Sequence, residues 1–131
     1  MTVSDPAYEQ HAVNIVTETC MEWPYVSEKT AKPFAARQIP ILIGSAGINR
    51  FMQDLGLDMF SDIVPWHTWD EILDNRERLN KIADFIIDWV NKDDMLEIYR
   101  LVIDRVEKNK RHFHSDRFRD TILGQINLLS Y

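Results

Sequence analysis

The 131-residue chain holds a single cysteine, Cys20, four glycines and no long apolar run. One cysteine excludes an internal disulfide framework and fits a reducing cytoplasm. No stretch approaches the roughly 20 apolar residues that a membrane-spanning helix needs. The opening "MTVSDPAYEQ" lacks the basic-then-apolar layout of a secretory signal. Positive charge is also short, 15 Lys and Arg against 21 Asp and Glu, for a net charge of −6. That balance disfavours nonspecific binding to nucleic-acid backbones or anionic membranes. A cytoplasmic protein with no membrane span and no nucleic-acid partner is expected.

What is present suits one globular domain, residues 1–131, with 45% hydrophobic and 27% charged residues. "HAVNIVTET" is β-branched and mostly apolar, as in a buried strand. "IPILIGS" is a continuous apolar run of the kind found inside a parallel sheet. Between them, Ser27 is a candidate helix N-cap and Glu28 an acid in the first turn. Pro33 suggests that the regular part of that helix begins near it. "GINRFMQDLGL" predicts a second amphipathic helix closed by Gly56, and "MFSDIV" one more short strand.

From Trp69 the apolar period turns helical. Ile82, Phe85, Ile86 and Trp89 share one face, and Leu96, Tyr99, Val102, Ile103 and Val106 another. The fold class expected is therefore α/β: a small parallel sheet of about two to four strands with helical crossovers, then about three C-terminal helices.

The order "VTET…YVSEKTAKPFAARQIPILIGSAGINRFMQDLGL…F", spanning about Ala12 to Arg78, resembles the donor-binding C-terminal region of GT-B glycosyltransferases, fucosyltransferase-like proteins in particular. It is also similar to bacterial and phage proteins with a "TEKT-x-KP…G…LG" signature. The resemblance implies that Glu28 contacts the ribose or sugar hydroxyls of a nucleotide diphosphate sugar and Lys29 its diphosphate. It implies no metal and no other cofactor. A complete GT-B enzyme carries a second, N-terminal domain for the acceptor. The resemblance therefore implies one half of such an enzyme, with a missing acceptor domain or a homo-oligomer in its place. The chain departs from the pattern at "WHTWD", Trp66 to Asp70, where similar sequences carry "DESYD".

The residues allow a site of the same kind. Lys29 and Lys32, three apart, would share a helix face. Two ammonium groups near the turn Gly44, Ser45, Ala46, Gly47 could neutralise a diphosphate, with N–H groups at the next helix start adding anion contacts. Glu18 and Glu28 lie toward the carboxyl end of the first strand, where ligands of open α/β sheets bind. The substrate-binding set is thus Glu18, Ser27, Glu28, Lys29, Lys32, Gly44, Ser45 and Gly47, with no catalytic residue assigned. The same residues also suit an ordinary αβ turn beside a solvated helix face, and Glu18 a solvent-facing strand end. The alternative function is a noncatalytic interaction or oligomerisation module, with the α/β layer as scaffold and the C-terminal helices as its oligomer or partner surface.

Other motifs read more simply. Cys20 suits a buried thiol, and "HFHSD", His112 to Asp116, a polar turn with no metal. The basic cluster of Arg105, Lys108, Lys110, Arg111, Arg117 and Arg119 suits solvated helix ends. Trp66, Trp69 and Trp89 suit the core.

Overall fold

A computed structural model describes residues 12–18, 28–92 and 94–120. Ser27, Cys20 and the side chain of Glu28 lie outside the described residues. Strand β1 (Val13–Thr17) pairs in parallel with β2 (Ile39–Ile43), in a register that sets Val13 opposite Ile39 and Thr17 opposite Ile43. Helix α1 (Glu28–Ala35) makes the crossover, and α2 (Ile48–Asp54) follows β2. A 3-10 turn at Trp66–Thr68 leads to α3 (Asn75–Lys92), α4 (Met95–Leu101) and α5 (Ile103–Phe113). Residues 116–120 are again helical. The α/β expectation holds, and among the described residues the sheet has two strands.

β2 is buried almost throughout, as its uninterrupted apolar run requires, whereas β1 buries Val16 and leaves Ile15 exposed. Ile39 donates its N–H to Ala12 O at 2.9 Å, and Glu18 donates to Ile43 O at 2.8 Å. The backbone groups of Ile39, Ile41 and Ile43 therefore point at β1, and those of Pro40 and Leu42 point away from it. Pro40 thus occupies a strand position where its missing N–H costs no bond to β1.

α1 begins at Glu28, earlier than Pro33 suggested, and carries Pro33 inside it. The proline lies in the last turns of an eight-residue helix, so only one backbone bond, to Lys29 O, is forgone. The helix ends with Gln38 N–H on Pro33 O at 2.8 Å and Arg37 N–H on Phe34 O at 3.3 Å, with Arg37 left-handed at φ 59°. α2 closes in the same way, and here Gly56 takes the left-handed position at φ 93°, as expected.

Three segments differ from the sequence expectation. "MFSDIV" is a turn: Phe60 is left-handed, and its carbonyl accepts the N–H groups of Ile63 and Val64 at 2.9 and 2.7 Å. The aspartates on either side explain it. Asp58 Oδ1 accepts Phe60 N–H at 2.9 Å, and both Asp58 and Asp62 turn toward Arg105. α3 starts at Asn75, not near Trp69, because Asp74 Oδ1 accepts Glu77 N–H at 2.8 Å and caps the helix there. The segment after Asp94 is two helices broken at Val102, whose φ of −114° and ψ of 12° leave the α region. Val102 and Val106 are buried, while Leu96 and Ile103 are exposed.

The core joins β2, α1 and α2 to the aromatic side of α3. Trp66, Trp69 and Trp89 are buried, and Phe85 lies between Trp69 and Trp89 at ring-centroid distances of 5.5 and 5.2 Å. α5 lies against α1, and Arg37 after α1 pairs with Glu107 of α5 at 3.1 Å. Among the described residues no helix is long and apolar enough to cross a membrane.

Candidate functional site

β1 from Asn14 to Thr17 and the first turns of α1 line an open cleft of about 300 Å³, whose lining is Asn14, Ile15, Val16, Thr17, Lys29 and Lys32. The spacing of three does place both lysines on one side of α1, facing the strand. Lys29 is exposed and Lys32 half-buried. Asn14 is held from below, its side-chain amide donating to Gln38 Oε1 at 3.0 Å. The turn Gly44, Ser45, Ala46, Gly47 is not among the lining residues.

Glu18 lies beside this cleft but inside the protein, at 2% exposure. The solvent-facing strand end is therefore excluded for it. Its carboxylate accepts the hydroxyl of Thr30, a residue of α1 with no exposed surface.

The glycine turn has a different occupant from the one its sequence suggests. Gly47 is left-handed, φ 83°, and its N–H donates to the Asp70 carbonyl at 2.6 Å. Asp70 Oδ1 accepts the N–H of Asn49 at 3.0 Å, and its Oδ2 that of Arg50 at 3.1 Å. The anion at the start of α2 is thus the carboxylate of Asp70, which is 1% exposed. Behind it, the buried Arg78 donates from Nε and Nη2 to Gly44 O at 3.1 and 2.8 Å. Its Nη1 reaches Ile72 O and its Nη2 Asn75 Oδ1, each at 2.6 Å. Burial pulls the Arg78 pKa below the ordinary arginine value, against the opposing charges of Asp70 and Asp74. Ser45 is buried, and its hydroxyl donates to Ala46 O at 3.4 Å. Gly44 is thus held by Arg78 and Gly47 by Asp70, with Ser45 between them.

Neither Asp70 nor Arg78 was picked out by sequence reasoning. Arg78 carried a signal: it stands four residues before Ile82, in phase with the apolar stripe of α3. Asp70 carried none, since its partners lie some 20 positions upstream.

A second cavity, about 420 Å³, lies among Ala31, Met52, Phe113 and Phe118, with Arg119 and Asp116 also lining it. These two charges are paired at 3.3 Å, so they supply little net field for an anion. The basic cluster is likewise partly spent within the fold, with Arg105 bound by Asp58 and Asp62. His112 Nε2 lies 2.8 Å from Leu55 O at the end of α2.

Comparison of the chain with protein-family models, curated proteins and solved structures finds no match.

Proposed function

We propose that this domain binds a nucleotide diphosphate sugar, as the donor-binding half of a GT-B glycosyltransferase does, with the diphosphate in the β1–α1 cleft. The observation that carries the reading is the convergence of Lys29 and Lys32 on a cleft that runs along a parallel strand from Asn14 to its last residue, Thr17. Ligands of open α/β sheets bind beyond the carboxyl ends of the strands, and the cleft reaches that end of β1 at Thr17. Two ammonium groups on that side of α1 can give charge-assisted hydrogen bonds to diphosphate oxygens. The ordered resemblance from Ala12 to Arg78 supplies the sugar-nucleotide class. Asp70 at the start of α2 directs the assignment to the lysine cleft, away from the glycine turn.

Transfer of the sugar would need an acceptor and a base from a second domain or another chain. In such a complex Lys29 would stabilise the departing diphosphate, with no metal required. The measurement is thermal: guanosine, uridine and adenosine diphosphate sugars are titrated and the rise in Tm is followed, since a ligand of the native state stabilises it by linkage. Lys29→Ala should weaken binding by about tenfold, the scale of one charge-assisted bond. Absence of any shift at millimolar ligand would sink the proposal.

A second reading has its own observation. Ile87 and Val90, one turn apart on α3, are each 61% exposed. Such an apolar face suits a noncatalytic interaction or oligomerisation module.

A further inference from the structure

We propose that Thr30 is the positioning residue of the lysine cleft, and that Glu18 is buried in order to hold it. The inference rests on the diphosphate reading above. Thr30 lies in α1 between the two lysines and turns inward, fully buried, while they line the cleft. Its hydroxyl donates to the carboxylate of Glu18. Glu18 is the first residue past β1, and its own N–H is fixed to Ile43 O at 2.8 Å. A side chain on Gly44 would begin only 3.5 Å from Glu18 Cβ, so the glycine turn closes over it. One hydrogen bond therefore ties α1 to the end of β1, and these are the two walls of the cleft.

The chemistry of the pair supports a positioning role. A buried carboxylate is costly unless its hydrogen bonds are made, and an apolar pair of similar volume would serve packing as well. A directional bond adds what an apolar contact lacks: it fixes how far α1 is rotated and slid along the strand. α1 needs such a constraint, because an eight-residue helix carrying a proline has little stability of its own. Both lysines stand on that helix, so their reach into the cleft follows its placement.

The test compares Thr30→Val, which keeps shape and loses the donor, with Thr30→Ser, which keeps the donor. The probe is inorganic pyrophosphate, titrated calorimetrically well below the Tm of every variant. Thr30→Val should weaken pyrophosphate binding by about fivefold or more, since displacement of a site by under an ångström is enough to spoil it, and Thr30→Ser should bind like the parent. A purely structural role predicts otherwise: a lower Tm for Thr30→Val with unchanged affinity. That result overturns the inference while leaving the diphosphate reading intact. A parent protein that binds no pyrophosphate overturns both. Should Thr30→Val not fold, Thr30→Cys, a much weaker donor of nearly the same shape, carries the same comparison.

Discussion

Asp70 reaches Asn49 across 21 positions of sequence, its Oδ1 accepting both the backbone N–H and the side-chain amide at 3.0 Å. Helix starts are usually capped by a residue just before them. Here Gly47 fills that position without a side chain, and the cap comes from the far side of the 3-10 turn. One buried carboxylate thereby fastens the strand-and-crossover half of the domain to the segment that leads into α3.

Removing it should cost more than an ordinary cap. Asp70→Ala leaves the buried N–H of Asn49 and the part-buried N–H of Arg50 without their acceptor and should lower unfolding stability by about 3 kcal/mol. Asp70→Asn keeps one acceptor oxygen but turns an amide N–H toward Arg50, and should lose about 2 kcal/mol. Urea unfolding of both variants checks the order, and a loss under about 1 kcal/mol for the alanine would refute the assignment.

Arg78 is the complementary case. Arg78→Met retains the stripe on α3 but leaves Gly44 O and Ile72 O without their donor, a loss of about 3 kcal/mol. Arg78→Lys keeps charge yet lacks the fork that reaches both carbonyls, and should recover less than half of that loss. Equal stability of the lysine variant and the parent would show that charge alone matters at this position.

The Arg105 cluster sets an acid limit. Burial pushes the Asp58 carboxyl up, but the hydrogen bonds from Arg105 and from Phe60 N–H, with the Arg105 charge, outweigh it and leave the pKa lowered. Asp62 is lowered first by its hydrogen bond from Arg105. Depressed folded values mean that the stability from these groups is complete above the unfolded carboxyl range, near pH ~4. It is lost as pH falls through the folded values. Urea midpoints should thus hold from neutrality to about pH 5 and drop below about pH 4. Arg105→Met should lower the plateau and shrink the drop, whereas an unchanged acid slope would exclude this cluster as its source.

If α3 mediates association, sedimentation at micromolar concentration should show a dimer or larger species. Ile87→Glu with Val90→Glu should convert it to monomer without loss of helicity, because both side chains are largely exposed. A parent that is already monomeric at that concentration refutes the association.

What could be read from sequence was local. The apolar runs at Val13–Thr17 and Ile39–Ile43 marked two strands, and their parallel pairing follows from a helix-length connection. The stripe of Ile82, Phe85 and Trp89 marked α3. Lys29 and Lys32 were recognisable as one face from spacing alone. Missed features depend on distant partners. "MFSDIV" has strand-like residues, but Asp58 and Asp62 are drawn to Arg105 over 40 positions away. Val102 fits the helical period in sequence, yet it is where the helix breaks. Glu18 reads as a strand-end acid, but it is interior and its carboxylate meets Thr30 of α1.

The placement of Pro40 has a consequence for how this sheet can be extended. On the edge of β2 that faces away from β1, position 40 offers no donor, and the Gly44 carbonyl just beyond the strand is already taken by Arg78. A newcomer strand laid along that edge would find its hydrogen-bond ladder interrupted at one end and occupied at the other, which guards it against edge-to-edge aggregation. Among the described residues, growth of the sheet is therefore directional. A further strand, from this chain or another, has a regular ladder to join only past β1, on the same strand whose residues Asn14 to Thr17 line the lysine cleft.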